Sequence, residues 1–344
     1  MTALTIEVYR KGQARRIAAL LFGGLLVLCF MLADLAIGPA WLSLGELWSV
    51  LTQPGAFRGG VLHAIVWDIR LPMTLTSVVV GASLGLAGAQ MQTILRNPLA
   101  SPYTLGISAA AGFGASVIML TGLGTGALGW LAPPLAAFIT ALLACMGVWT
   151  IGKLRGVTPE VLVLAGIAML FLFQSLQSLL QYLASPEVLQ QIVFWLFGSL
   201  LKANWTSFTV SGALFCVVTV GLLGDAWRLT VLGMGDDNAR SLGVNVDRLR
   251  LRVFVWISLL TAGAVAFVGT IGFVGLVAPH IARDFVGEDQ RYLIPLSALS
   301  GAAILTGASL AAKLISPGAM IPIGIVTALT GVPFLFFLIL RRKR

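Results

Sequence analysis

The chain has 344 residues, 58% hydrophobic and only 10% charged, with 22 Lys+Arg against 13 Asp+Glu and a net charge of +9. Its mean hydropathy is +0.97, whereas a soluble domain carries about a quarter charged residues to wet its surface. These values exclude a soluble or disordered chain, collagen, a disulfide scaffold and a nucleic-acid-binding domain, and define a polytopic membrane protein.

A bilayer-crossing helix needs roughly 20 apolar residues, so stretches free of Asp, Glu, Lys and Arg mark the spans. Residues 17–33 come first and read as a retained helix, not a cleaved signal. Leu71–Leu95 follows, then residues 97–152, long enough for two helices joined by a glycine-rich turn at residues 122–129. Residues 161–186, 203–224, 253–282, 292–312 and 314–340 complete the series. Basic residues collect on the cytoplasmic side. Arg10, Lys11, Arg15 and Arg16 place the N-terminus inside, and Arg341, Arg342, Lys343 and Arg344 do the same for the C-terminus. Nine spans do not satisfy that parity. Residues 253–282, flanked by Arg252 and Arg283, must therefore leave and return, with a short helix near residues 275–287 and a break at Gly272, Gly275 and Pro279. Ten transmembrane helices result, and 18 of the 22 basic residues then fall inside. The exceptions are Arg58, Arg70, Lys202 and Lys313.

The carboxylates Asp34, Asp68, Glu160 and Glu187 lie at or beyond span ends, which leaves no mid-membrane ion site. Secondary carriers and proton pumps keep such a carboxylate, so any coupling energy is expected to come from outside the chain. No P-loop is present, and residues 124–129 match a dinucleotide fingerprint only by letters, reading as a turn. His63 and His280 are isolated, with His280 reading as a cap on the broken helix. No metal-ligand spacing or catalytic set appears, and Cys29, Cys145 and Cys216 sit in apolar runs as small hydrophobes. Gly81, Gly85 and Gly88 put small side chains on one helix face for close packing. Gln90, Gln92, Gln174, Gln177 and Gln181 are candidates to line a water-filled path. The longest polar segment, about residues 225–252, contains Asp236, Asp237 and Asn238 as caps for a short helix starting near Ala239 and ending at Gly243. It reads as a surface for a soluble partner, with a plain solvated loop as the alternative.

Three stretches resemble one family, the permease subunits of bacterial ABC importers for iron–siderophore, heme and cobalamin (FecCD/BtuC type). The first runs from Ile69-Arg70-Leu71-Pro72 through Gly81, Gly88-Ala89-Gln90-Met91-Gln92 and Arg96-Asn97-Pro98 to Gly106-Ile107-Ser108. The second spans Gly235 to Gly243. The third is Gly269 to His280, with Pro322-Ile323-Gly324 and Gly331-Val332-Pro333. The resemblance covers about residues 40–344.

It implies a single transmembrane permease domain over residues 1–344, an all-α, BtuC-like type II importer permease with both termini cytoplasmic. It also implies a partner set: a second permease subunit (the same or a homologous chain), two cytoplasmic ATPase subunits carrying ATP-Mg, and a periplasmic substrate-binding protein. The permease itself would be no enzyme and bind no cofactor or metal, would contact lipid but no nucleic acid, and would sit in the bacterial inner membrane. By resemblance Gly235, Ala239, Arg240, Ser241, Leu242 and Gly243 form the coupling helix that meets the ATPase. Thr158, Pro159 and Glu160 fall at the cytoplasmic gate, with Pro159 and Glu160 departing from the small hydroxyl residues usual there. Arg70 and Lys313 match outward-facing positions that dock the binding protein, while Met73 replaces a second arginine and Arg58 and Lys202 match nothing. The expected cargo is a ferric siderophore. Heme or cobalamin is the alternative within the family, and an ion-coupled secondary carrier the alternative outside it.

Overall fold

Hydrocarbon offers no partner to a backbone amide, so a crossing segment must close its own hydrogen bonds as a helix. The computed structural model describes residues 3–123, 129–316 and 321–341, and it is helical throughout with no strand among them. In chain order the helices are α1 (Ala3–Ala36), α2 (Leu44–Thr52), and α3 (Val61–His63), which continues through a π-helical turn (Ala64–Arg70) into α4 (Leu71–Leu95). Next come α5 (Ile107–Thr121), α6 (Ala132–Arg155), α7 (Pro159–Leu183), α8 (Pro186–Leu196) and α9 (Trp205–Gly224). The short α10 (Ala226–Gly233) and α11 (Asp236–Ser241) lead to α12 (Val246–Val268), α13 (Val274–Val286), α14 (Gln290–Ile315) and α15 (Ile323–Arg341).

Side-chain caps set the helix starts. Thr158, Ser185, Asn204, Asn245 and Asp289 each accept a hydrogen bond from a backbone N–H in the first turn, and Pro159 and Pro186 open their helices where no amide donor is needed. Ser43 and Glu46 form a reciprocal capping box on α2.

Among the described residues, seven helices are long and apolar enough to cross a bilayer. They are α1, the joined α3–α4 rod, α6, α7, α9, α12 and α14. The other three expected crossings fall on shorter elements: α5 has 15 residues, α13 has 13, and the apolar part of α15 is Ile323–Phe337. The returning helix expected near residues 275–287 is α13. The break spans residues 269–273 and so includes the expected Gly272, with Gly269 (φ 76°) and Phe273 (φ 67°) at positive φ on either side of it. Gly275, Pro279 and His280 are inside α13 instead of forming or capping the break. Of the expected turn at residues 122–129, residues 124–128 lie outside the described residues, as do Arg342, Lys343 and Arg344.

Helix α4 is the hub, packed against α14, α12, α13 and α9. In lipid nothing apolar is gained by pressing helices together, so close association depends on small residues that let backbones touch. A Cβ on Gly81 would stand 2.8 Å from Leu305 Cβ, one on Gly85 3.0 Å from Gly301 Cα, and one on Gly275 2.9 Å from the Leu84 carbonyl oxygen. A Cβ on Gly88 would overlap the Gly275 carbonyl. Gly275 is therefore needed for contact, which explains why it does not sit in the turn. Cys145 is buried in this packing, whereas Cys29 and Cys216 are exposed on the outside of the bundle, contrary to a uniformly interior placement.

Candidate functional site: a short exposed helix and its ties to the bundle

The polar segment between α9 and α12 folds as two short helices. Gly235 precedes α11 with φ 122°, a conformation that L side chains resist, and makes no side-chain cap. The helix begins at Asp236, three residues before the expected start at Ala239, because Asp236 is tied to an arginine instead of capping. At the far end the Gly243 amide donates to the Arg240 carbonyl (3.0 Å) and the Val244 amide to the Ala239 carbonyl (2.9 Å). With Gly243 at φ 81°, this is the glycine-terminated stop expected there.

The two sides of α11 differ. Ala239 is fully buried, while Leu242 is 57% and neighbouring Met234 68% exposed. The Arg240 guanidinium is also exposed and lies 3.8 Å from Asp247, a loose surface pair. The Ser241 hydroxyl only closes back on the Asn238 carbonyl (2.9 Å). The outer side therefore offers the apolar Leu242 and Met234, the Arg240 cation, the Asp237 carboxylate and the polar Asn238 to whatever lies beneath it.

Inside, Arg250 of α12 takes both Asp236 carboxylate oxygens (2.7 and 2.8 Å) and also donates to the Ile94 and Val157 carbonyls (2.8 and 3.0 Å). Sequence reasoning had counted Arg250 only as one more cytoplasmic cation. The alternation Arg248, Arg250, Arg252 gives no hint of which one turns inward. Nearby, buried Asp225 accepts from both Arg228 and Arg252 at 2.7 Å. The expected gate residues lie immediately after Val157: the Thr158 oxygen caps α7 at Val161, Pro159 opens the helix, and Glu160 is exposed in its first turn.

The five glutamines separate. Gln90 and Gln92 are buried and do not line a path: Gln90 donates to Gln290 (2.9 Å), and Gln92 accepts from Arg283. Gln290 in turn donates to the Thr93 hydroxyl through its side chain and to the Thr230 hydroxyl through its amide, both at 3.1 Å. That layer joins α4, α10 and α14. Gln177 donates to Ser116 (2.7 Å) and is likewise packed. Gln174 is exposed and Gln181 half-buried on α7, with Ser175 and Ser178 exposed beside them.

The expected docking cations are not presented outward. Arg70 is 5% exposed and donates to the carbonyls of Leu35 (2.7 Å) and Ala36 (3.0 Å) at the end of α1 and to that of Ala40 in the loop beyond it. The Lys313 ammonium lies 2.8 Å from the Asp34 carboxylate and donates to the Asp34 carbonyl (2.7 Å), and Asp34 is fully buried and also accepts from Thr74. Uncovered carbonyls at a helix C-terminus draw cations, so both side chains fold inward to close α1. Arg58 and Lys202 are exposed.

An apolar bundle that holds a short exposed helix by charged bonds to its own core has the build of a multi-pass membrane protein with one polar surface left for a separate subunit. Residues 25–341 match the FecCD transport family, and the chain belongs to it. The hemin transport system permease HmuU of Yersinia pestis is 36% identical over 94% of this chain and 96% of its own. The vitamin B12 import permease BtuC of Vibrio cholerae is 34% identical over 97% and 96%. A solved inward-facing ABC transporter of the metal-chelate type superposes with a TM-score of 0.82 at 31% identity, covering 94% of this chain and 98% of that one. The chain is accordingly a multi-pass permease subunit of an ABC importer, a transport component that implies an ATPase partner and a permease partner.

Proposed function

We propose that this permease imports a ferric siderophore across the bacterial inner membrane, as one of two permease subunits above two ATPases, receiving cargo from a periplasmic binding protein. The observation that carries the ATP-driven part is α11. Its outer side exposes Leu242 and Arg240 while its inner side is held by Ala239 and Asp236, the arrangement needed to receive a push from below. Arg240→Glu with Leu242→Asp is expected to abolish association with the ATPase while the permease still inserts. Co-purification with the tagged ATPase tests this, and undiminished capture of the double variant overturns the role of α11.

The cargo reading is supported by relatives named for iron(3+)-hydroxamate import and siderophore transport in Bacillus subtilis, 34% and 38% identical, beside those named for hemin and vitamin B12. The exposed Gln174, Ser175 and Ser178 give α7 a polar face suited to such a cargo. Vesicles holding the permease, its ATPase and its binding protein should take up a ferric siderophore in preference to hemin or cobalamin. Uptake of hemin or cobalamin alone would reassign the cargo. Accumulation without the ATPase would favour an ion-coupled carrier.

A further inference from the structure

Arg250 carries more interactions than a charge at a span end requires. Its side chain is 1% exposed, and an ionised group so placed is costly unless its donors are met. They are met by acceptors from three separate segments: Ile94 in the last turn of α4, Val157 in the strap between α6 and α7, and Asp236 in the first turn of α11. The strap ends at Thr158, which caps α7. A planar guanidinium fixes the directions of its N–H groups, so the carboxylate and the two carbonyls are held at set angles to one another.

We propose that Arg250 is the positioning residue that makes α11, the 156–158 strap and the end of α4 move as one body, so that a displacement imposed on α11 reaches the start of α7. The proposal rests on the permease reading and deepens it. Lysine cannot replace Arg250, because a single ammonium cannot span a carboxylate and two divergent carbonyls. Exchanging the charges between positions 236 and 250 fails too, because a carboxylate at 250 would face the Ile94 and Val157 carbonyl oxygens.

The test uses the reconstituted complex of permease, ATPase and binding protein, with Asp236→Asn as the mild variant and Arg250→Lys as the severe one. Two quantities are read: cargo moved per ATP hydrolysed, and hydrogen exchange of the strap peptide covering residues 156–161. Arg250→Lys is expected to lower cargo per ATP about tenfold and Asp236→Asn by a smaller factor, about threefold, and both are expected to speed strap exchange. The charge-exchanged double variant restores neither. Loss of packing alone would lower transport and hydrolysis together and leave their ratio intact. Unchanged strap exchange in Asp236→Asn overturns the proposal whatever the ratio, as does an unchanged ratio in vesicles that transport. Wild-type vesicles that show no ATP-driven uptake would refute the permease reading instead, and strap exchange would still decide the role of Arg250.

Discussion

Replacing Asp34 with Asn removes a negative charge from a fully buried site while keeping its shape. Lys313, with its side chain 3% exposed, then loses its 2.8 Å counter-ion and keeps only neutral acceptors, the backbone carbonyl of residue 34 at 2.7 Å and the new amide oxygen. Breaking a buried ion pair by removing one partner costs about 3–5 kcal/mol, and the surviving carbonyl bond places this case near the lower end. At roughly 2 °C per kcal/mol for a large chain, the apparent Tm should fall by about 6 °C. The unfolding of the detergent-solubilised permease, followed through its nine tryptophans, measures it. Adding Lys313→Met should recover most of the loss, because the orphaned charge is gone and a thioether fills the space. Salt up to about 0.5 M should change neither result, since buried pairs are screened little. A double variant as unstable as Asp34→Asn, or a silent Asp34→Asn, would refute the account of Lys313 as a lock on α1.

The remaining predictions concern packing, capping charge and the path. Gly88→Leu should prevent accumulation of folded permease, judged by its gel-filtration profile, whereas Gly24→Leu, where an added Cβ meets nothing within 4 Å, should be tolerated. The Arg291 guanidinium, hydrogen-bonded to Asp289 at the start of α14, holds that carboxyl below the usual range, with Arg16 3.3 Å away assisting. A depressed carboxylate contributes stability that is present above its unfolded value of about 3.9 and is lost as pH falls through the folded value. Thermal stability should therefore decline below about pH 4, and Asp289→Asn should flatten that decline. Gln174→Leu should slow cargo uptake and leave Tm unchanged, because the side chain is exposed, while Gln177→Leu should lower Tm by breaking the 2.7 Å bond to Ser116.

Much of the fold was legible because lipid makes charge so informative. Missing carboxylates and cations mark the long helices, and the parity of the basic ends requires the returning helix that α13 supplies. The stop at Gly243 was legible for a local reason: a left-handed residue after a short polar run needs glycine. Charge position along the chain does not report which way a side chain turns, however. Arg70 and Lys313 look like outward cations at span ends, yet the open carbonyls of α1 and the carboxylate of Asp34 draw them inward. Arg250 hid among three alternating arginines, and its acceptors Ile94 and Val157 are backbone atoms that no residue pattern displays. Gly275 was legible as special but assigned to a turn, because a glycine needed for contact and one needed for a bend look alike in a sequence.

The glycine contacts between α4 and its neighbours also decide what kind of motion the bundle permits. Ordinary packed helices can slide a little as their side chains change rotamer, which softens any push applied at one end. Where Gly88 meets the Gly275 carbonyl and Gly81 and Gly85 meet Gly301, backbone rests on backbone, with no rotamers to yield. Helices α4, α13 and α14 are therefore joined as one unit at these contacts. A displacement of any one of the three is passed to the other two, because no side chain lies between them to take it up.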